Sequence, residues 1–189
     1  MEEKALETLK IMLNNRGKNV TEIETLGNSL DETRMYNLGG VLVIFSDKGR
    51  MTDGVLKSYV QFCEDNNYTN GVIIVMSTSP SENILDMIRT MNTGKTLVQL
   101  FNVRYLQFDI SSHRKVPKHR IISLEESVEL QKKMKITDPK MQLPWIDSQD
   151  AMAKWLGART GDIIEIERLS ESAGNSLYYR YCVSNVLDT

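Results

Sequence analysis

Val41-Leu42-Val43-Ile44-Phe45 and Gly71-Val72-Ile73-Ile74-Val75-Met76 decide the fold of the first half of the chain. Each is a short, unbroken apolar run rich in β-branched residues, as expected of a strand covered on both faces. Between them, Val55, Leu56, Tyr59, Val60 and Cys63 recur on one face of residues 52–66, and this supplies the helical crossover that two parallel strands require. Ser79-Pro80-Ser81-Glu82 then sets out a capping serine, a proline at the first helical position and a reciprocal glutamate. It predicts a helix that turns Ile84, Leu85 and Ile88 inward, and residues 96–101 close the alternation as another strand. The core is therefore β-α-β-α-β, an α/β unit. Upstream, Ala5, Leu6, Leu9, Met12 and Leu13 predict a helix over residues 3–13, with Gly17 placed for a left-handed stop. Thr21 and Glu24 have capping-box spacing ahead of Leu26 and Leu30, which predicts a second helix, broken by Gly39-Gly40.

At His113-Arg114-Lys115-Val116-Pro117-Lys118-His119-Arg120 the pattern shifts to basic groups around a proline, without helical periodicity. This marks a boundary between residues 1–112 and 113–189. The first part holds 11 basic and 14 acidic side chains, net −3, and the second 12 and 11, net +1. Ser123-Leu124-Glu125-Glu126 is a capping box, and Lys132, Lys133 and Lys135 suit the far end of the helix dipole. Pro139 and Pro144 predict an extended connection. Beyond it, Asp147 or Ser148 is expected to cap a helix carrying Ala151, Met152, Trp155 and Leu156 and ending at Gly157. Residues 163–168 and 177–183 read as a hairpin with a long polar tip, in which Tyr179 and Tyr181 share one face and Tyr178 and Arg180 the other. The chain as a whole is α/β in its first domain and mixed, α+β, overall.

The composition excludes several classes of function. The apolar runs are strand-sized, well short of the roughly 20 residues that a membrane helix needs. An acidic start, Met1-Glu2-Glu3-Lys4, lacks the basic and apolar regions of a secretory signal and reads as an intracellular protein. A net charge of −2 and a pI near 5.8 argue against wrapping nucleic acid by bulk charge, so any contact with DNA is local. Cys63 and Cys182 are far apart and read as packed thiols, and with only His113 and His119 they make no metal-ligand spacing. No glycine loop follows a strand and opens a helix as phosphate binding requires. Asp47, Lys48 and Asp53 can be set against a nuclease pattern, but Asp47 precedes a turn glycine and no second carboxylate stands next to a lysine on a matching strand. The basic run from His113 to Arg120 suits either phosphate contact or a solvated face. Trp145 and Trp155 suit a small core or an interface.

His113-x-x-Val116-Pro117-x-His119-x-x-Ile122-x-x-Glu125 is followed by Leu143-Pro144-Trp145-Ile146, Asp150-Ala151-Met152-Ala153 and Gly157-Ala158-Arg159-Thr160-Gly161-Asp162. Ile166-Glu167-Arg168-Leu169-Ser170-Glu171-Ser172-Ala173-Gly174 completes the series. In these blocks the chain resembles the fifth-largest subunit shared by the eukaryotic nuclear RNA polymerases, strongly from about residue 113 to 183, the part that stands alone as a small archaeal polymerase subunit. The resemblance implies a small C-terminal mixed α/β assembly domain docking on the largest polymerase subunit. It places Val116, Pro117, His119, Asp150, Trp155, Arg168, Ser170, Ser172 and Gly174 at that contact, with Arg168 facing a partner carboxylate.

Over residues 1–112 the likeness is looser and rests on the order of elements, on Thr78-Ser79-Pro80-Ser81 after a buried strand, and on residues 97–101 leading to the linker. It implies an N-terminal jaw domain of nuclease-like topology without nuclease activity. Ser79, Pro80 and Ser81 would approach the phosphates of downstream duplex DNA through free helix-start amides, with simple helix capping as their other reading. Other polymerase subunits are implied partners and a membrane is not. Catalysis and its magnesium would belong to the large subunits, leaving this chain no cofactor. Arg114, Lys115 and Leu169 depart from the family pattern and the first domain is short, as would suit a subunit from a large DNA virus. Two readings from other classes stand beside this one: a free-standing metal-dependent nuclease, and an isolated nucleic-acid-binding module.

Overall fold

The computed structural model describes residues 1–27, 30, 33–68, 70–170 and 174–186. The chain divides into two compact units, Met1–Asp109 and Ile110–Thr189.

In unit 1, α1 (Glu2–Asn15) precedes β1 (Glu24–Gly27), β2 (Thr33–Leu38) and β3 (Val41–Ser46), which pair antiparallel in that order. Two helical crossovers, α2 (Asp53–Asp65) and α3 (Glu82–Met91), then place β4 (Val72–Met76) and β5 (Val98–Asn102) parallel to β3. The sheet order among the described residues is β1-β2-β3-β4-β5. Every residue of β3 and β4 is buried, because helices cover both faces. Leu42, Ile44, Ile74 and Leu100 pack with Leu56, Tyr59 and Cys63 of α2 and Ile84 and Ile88 of α3. The alternate positions face α1, and the guanidinium of Arg16, its C-cap, donates to Gln99 Oε1 on β5 at 2.7 Å. Glu2, also on α1, accepts from Tyr36 at 2.8 Å and pairs with Arg34 at 3.2 Å.

Two expectations fail here for identifiable reasons. The segment after Thr21 is the strand β1, not a helix: Glu24 lies opposite Asn37 and accepts its side-chain amide at 2.9 Å, and Gly27 sits at φ +78° beside an irregularity in the pairing. Gly39 and Gly40, at φ +60° and +82°, form the two-residue turn joining β2 to β3, a geometry that matches strand twist and favours glycine. α3 begins two residues later than expected, with Ser81 as its N-cap and Pro80 outside the helix, and no side-chain capping bond forms. Glu82 does not reach back to the cap because Arg89 holds it at 3.0 Å while also bonding Asp86 at 2.6 Å. Leu85 is half-buried rather than inward.

Unit 2 carries β6 (Lys118–Ile121), α4 (Leu124–Met134), α5 (Pro139–Gln142), β7 (Trp145–Asp147), α6 (Ala151–Leu156), β8 (Ile163–Ser170) and β9 (Gly174–Val183). Its sheet runs β6-β8-β9-β7, antiparallel except for β7 beside β9. One face packs Ile164, Ile166, Cys182 and Ile146 against Ala153 of α6, and the other packs Ile163, Tyr179 and Tyr181 with Leu130 of α4. The expected capping box at Ser123 and Glu126 is complete. Residues 139–142 are helical rather than extended, since Pro139 takes the first helical position behind Asp138, whose side chain accepts from Lys140 N–H. The cap of α6 is Asp150, which accepts from the amides of Met152 and Ala153, while Asp147 is drawn to Gln149 N–H at 2.7 Å and Ser148 to Ser184. The hairpin arms run on to Ser170 opposite Gly174, so the polar tip is shorter than expected; residues 171–173 lie outside the described residues.

Candidate partner-docking surface

The register of unit 2 determines which side chains meet on its open face. His119 lies opposite Ile166, Ile166 opposite Tyr178, and Ile164 opposite Arg180, so these five share one face of the sheet. α6 covers the Ile164 and Cys182 end, and the rest stays open towards Arg168 and Tyr178. The Arg168 guanidinium sits 4.7 Å from the centre of the Tyr178 ring, and that of Arg180 is 5.9 Å away. Such stacking orients a guanidinium without neutralising it. Arg180 is further held by donating to Trp145 O at 3.0 Å.

The approach to β6 forms the other wall. Val116 N–H donates to His113 O at 2.8 Å, which closes a turn, and His119 Nδ1 lies 2.6 Å from Pro117 O. As a result Val116, Pro117, His119, Asp150 and Arg168 line one cleft of about 340 Å³, together with Met152 and Arg180. A second, larger groove of about 740 Å³ runs between residues 114–118 and the start of the hairpin arm at Glu167, Arg168 and Asn175.

The remaining expected contact residues are placed differently. Trp155 is 2% exposed, because a unit this small needs its large apolar side chains inside; the ring is core and presents no contact surface. Asp150 borders the cleft but also caps α6, a role worth about 1 kcal/mol in itself. Ser170 and Gly174 face each other at the end of the hairpin arms, Gly174 at φ +67°, and Ser172 lies outside the described residues. Ser79 and Ser81 are exposed and Pro80 is half-buried, ahead of α3 in unit 1. Sequence reasoning misses Met152, Tyr178 and Arg180 as parts of one surface. The alternation of Tyr178 and Arg180 is the available signal, but only the β8–β9 register brings them to Arg168.

Burial, followed by the carboxylates of Asp162, Asp147 and Asp150, pushes the Cys182 thiol up to about 12. Burial and then Glu64 push Cys63 up to about 11, so neither thiol is poised as a nucleophile at neutral pH. Asp47 is engaged by Arg34 at 2.8 Å. Among the described residues, no group of three or more His, Cys, Asp or Glu is placed to hold a metal ion, and no helix is long and apolar enough to cross a membrane.

Residues 108–182 match the family model described as RNA polymerase Rpb5, C-terminal domain. DNA-directed RNA polymerase subunit Rpo5 of Sulfolobus acidocaldarius is 47% identical over 78 residues, covering 41% of this chain and 90% of the archaeal one. The rpabc1 subunit of DNA-directed RNA polymerases I, II and III of Dictyostelium discoideum is 29% identical over 143 residues, 76% of this chain and 72% of its own. RPABC1 of Caenorhabditis elegans is 30% identical over 146 residues, 76% and 66% of the respective lengths. The chain belongs to the Rpb5 family of RNA polymerase subunits. These relatives are archaeal and eukaryotic polymerase subunits, and they support neither a viral origin nor the nuclease reading.

Proposed function

We propose that this chain serves as a non-catalytic subunit of a multisubunit DNA-directed RNA polymerase, docking through unit 2 on the largest subunit. The observation that carries the reading is a coincidence of two boundaries. The stretch matching the Rpb5 C-terminal domain, residues 108–182, begins beside and covers most of the compact unit Ile110–Thr189, whose surface gathers Val116, Pro117, His119, Asp150 and Arg168 into one cleft. The cleft offers an exposed guanidinium held by Tyr178 beside apolar Val116, Pro117 and Met152, a pairing suited to a partner carboxylate flanked by apolar side chains. Eukaryotic relatives shared among polymerases I, II and III fit a nuclear site of action.

The test is co-purification of tagged full-length protein from its native source, with partner chains identified by mass spectrometry. Two very large polymerase chains are expected with the wild type, and Arg168→Glu, which sets like charges together, is expected to cut their recovery about tenfold. Absence of those chains from both samples would overturn the reading.

Unit 1 is proposed as the jaw-side domain near downstream duplex DNA, with exposed Ser79 and Ser81 at the start of α3 closest to the phosphates. A photocrosslinker attached at Ser79→Cys in the assembled polymerase is expected to label downstream DNA more than one attached at Lys57→Cys. Equal or no labelling from the Ser79 position would reject this placement.

A further inference from the structure

We infer that the groove between residues 114–118 and the hairpin arm receives an extended, acidic segment of a partner polypeptide. The inference rests on the subunit reading for the existence of a partner, and on charge and backbone geometry for what that partner brings. Among the described residues lining the groove, Arg114, Lys115, Lys118 and Arg168 are cationic and Glu167 alone is acidic. None of the four cations has an ion-pair partner among the described residues. Arg120, from the same basic run, is by contrast closed internally by Glu126 at 2.8 Å and Glu165 at 2.7 Å. Within the basic run from His113 to Arg120, the lysines and arginines without a salt bridge among the described residues are thus the ones that line the groove.

The backbone favours an extended occupant. β6 begins at Lys118, opposite Glu167, whereas β8 continues to Ser170. Arg168, Leu169 and Ser170 thus have no ladder partner on the β6 side among the described residues, and a strand laid there would continue the line of β6 along a free edge. The volume, about 740 Å³, lies within the range that holds a compact ligand or a short stretch of chain. Nucleic acid fits less well: no aromatic ring lines the groove among the described residues, so unpaired bases find no stacking platform.

The experiment uses the full-length protein and fluorescence anisotropy with three labelled probes: a twelve-residue peptide alternating Glu and Thr, its Gln-for-Glu counterpart, and a single-stranded thymidine oligonucleotide. The Glu-Thr peptide is expected to bind at least about tenfold more tightly than the Gln-Thr peptide, and Arg114→Glu/Lys118→Glu to abolish that difference. These two positions line the larger groove and not the neighbouring cleft. Arg114→Gln/Lys118→Gln, a gentler change, is expected to weaken binding in the same direction and guards against misfolding of the reversal. Equal binding of both peptides, or binding indifferent to both double variants, overturns the inference. So does an oligonucleotide that binds more tightly than the Glu-Thr peptide with the same sensitivity. Co-purification is scored separately. Wild-type protein that recovers the large polymerase chains but fails the peptide assay refutes the groove alone, whereas peptide binding without co-purification refutes the subunit reading alone.

Discussion

Gly71→Ala is expected to destabilise unit 1 by about 4 kcal/mol, a drop of roughly 20 °C in its melting temperature for a unit of this size. Gly71 stands at the entrance to β4 with φ +112°, a conformation that a side chain strains. A Cβ there would lie 2.5 Å from Leu97 O and 3.2 Å from Leu97 Cβ. Neither neighbour is free to retreat. Leu97 O accepts from Val72 N–H at 2.9 Å, and Gly71 O accepts from Leu42 N–H at 3.0 Å, so the peptide joins β3 and β5 to the first residue of β4. Relieving the clash breaks one of these bonds at the start of the parallel β3-β4-β5 pairing. Gly49→Ala, where an added Cβ meets nothing within 4 Å, serves as the control and is expected to change stability by less than about 0.5 kcal/mol. Urea titration followed by circular dichroism checks both. A loss at Gly71 no larger than at Gly49 would mean that the β4 entrance does not have this geometry.

The parts of the fold that can be read in the chain are those set by local chemistry or by burial on both faces. β3 and β4 are legible because helices on both sides of the sheet demand unbroken apolar runs. α4 is legible because Ser123 and Glu126 satisfy each other within one turn, whatever the rest of the chain does. Thr21 and Glu24 carry the same spacing and mislead, since Glu24 is taken by Asn37 on β2, a partner that local spacing cannot reveal. Glu82 fails as a capping glutamate for a similar reason, being claimed by Arg89 two turns along the same helix face. The docking surface follows this pattern. Val116, Pro117, His119, Asp150 and Arg168 are identified through family resemblance, because nothing in their own spacing announces a shared cleft. Tyr178 and Arg180 join them only through the pairing of Arg168 with Ser176 and Ile166 with Tyr178, a register that depends on the whole sheet. Trp155 reads as an anchor because tryptophans are frequent at interfaces, but in so small a unit the same apolar area is needed inside.

Cys182→Asp is expected to unfold unit 2 at neutral pH and to abolish recovery of the polymerase chains while unit 1 stays folded. Cys182 has 0% exposure at the centre of the sheet, opposite Ile146 on β7, and its backbone joins Asp162 and Gly161 through bonds of 2.8 and 2.9 Å. Burial raises the thiol first, and Asp162, Asp147 and Asp150 raise it further, so the surroundings already oppose negative charge. A carboxyl introduced there has its folded-state pKa raised well above its unfolded value, at a cost of at least about 4 kcal/mol at pH 7. Cores of this size supply only about 3–5 kcal/mol. The sign of the pH dependence follows. The penalty is full above the raised folded pKa, shrinks as pH falls through it, and is gone below the ordinary carboxyl range, so the gap between variant and wild type narrows towards pH 4. Cys182→Ala, which removes volume without adding charge, is expected to cost about 1 kcal/mol and to retain co-purification. Paired with Gly71→Ala, the experiment separates the units. If docking belongs to unit 2, Cys182→Asp loses the large polymerase chains and Gly71→Ala keeps them. The reverse pattern would transfer docking to unit 1 and overturn the role assigned to the cleft around Arg168.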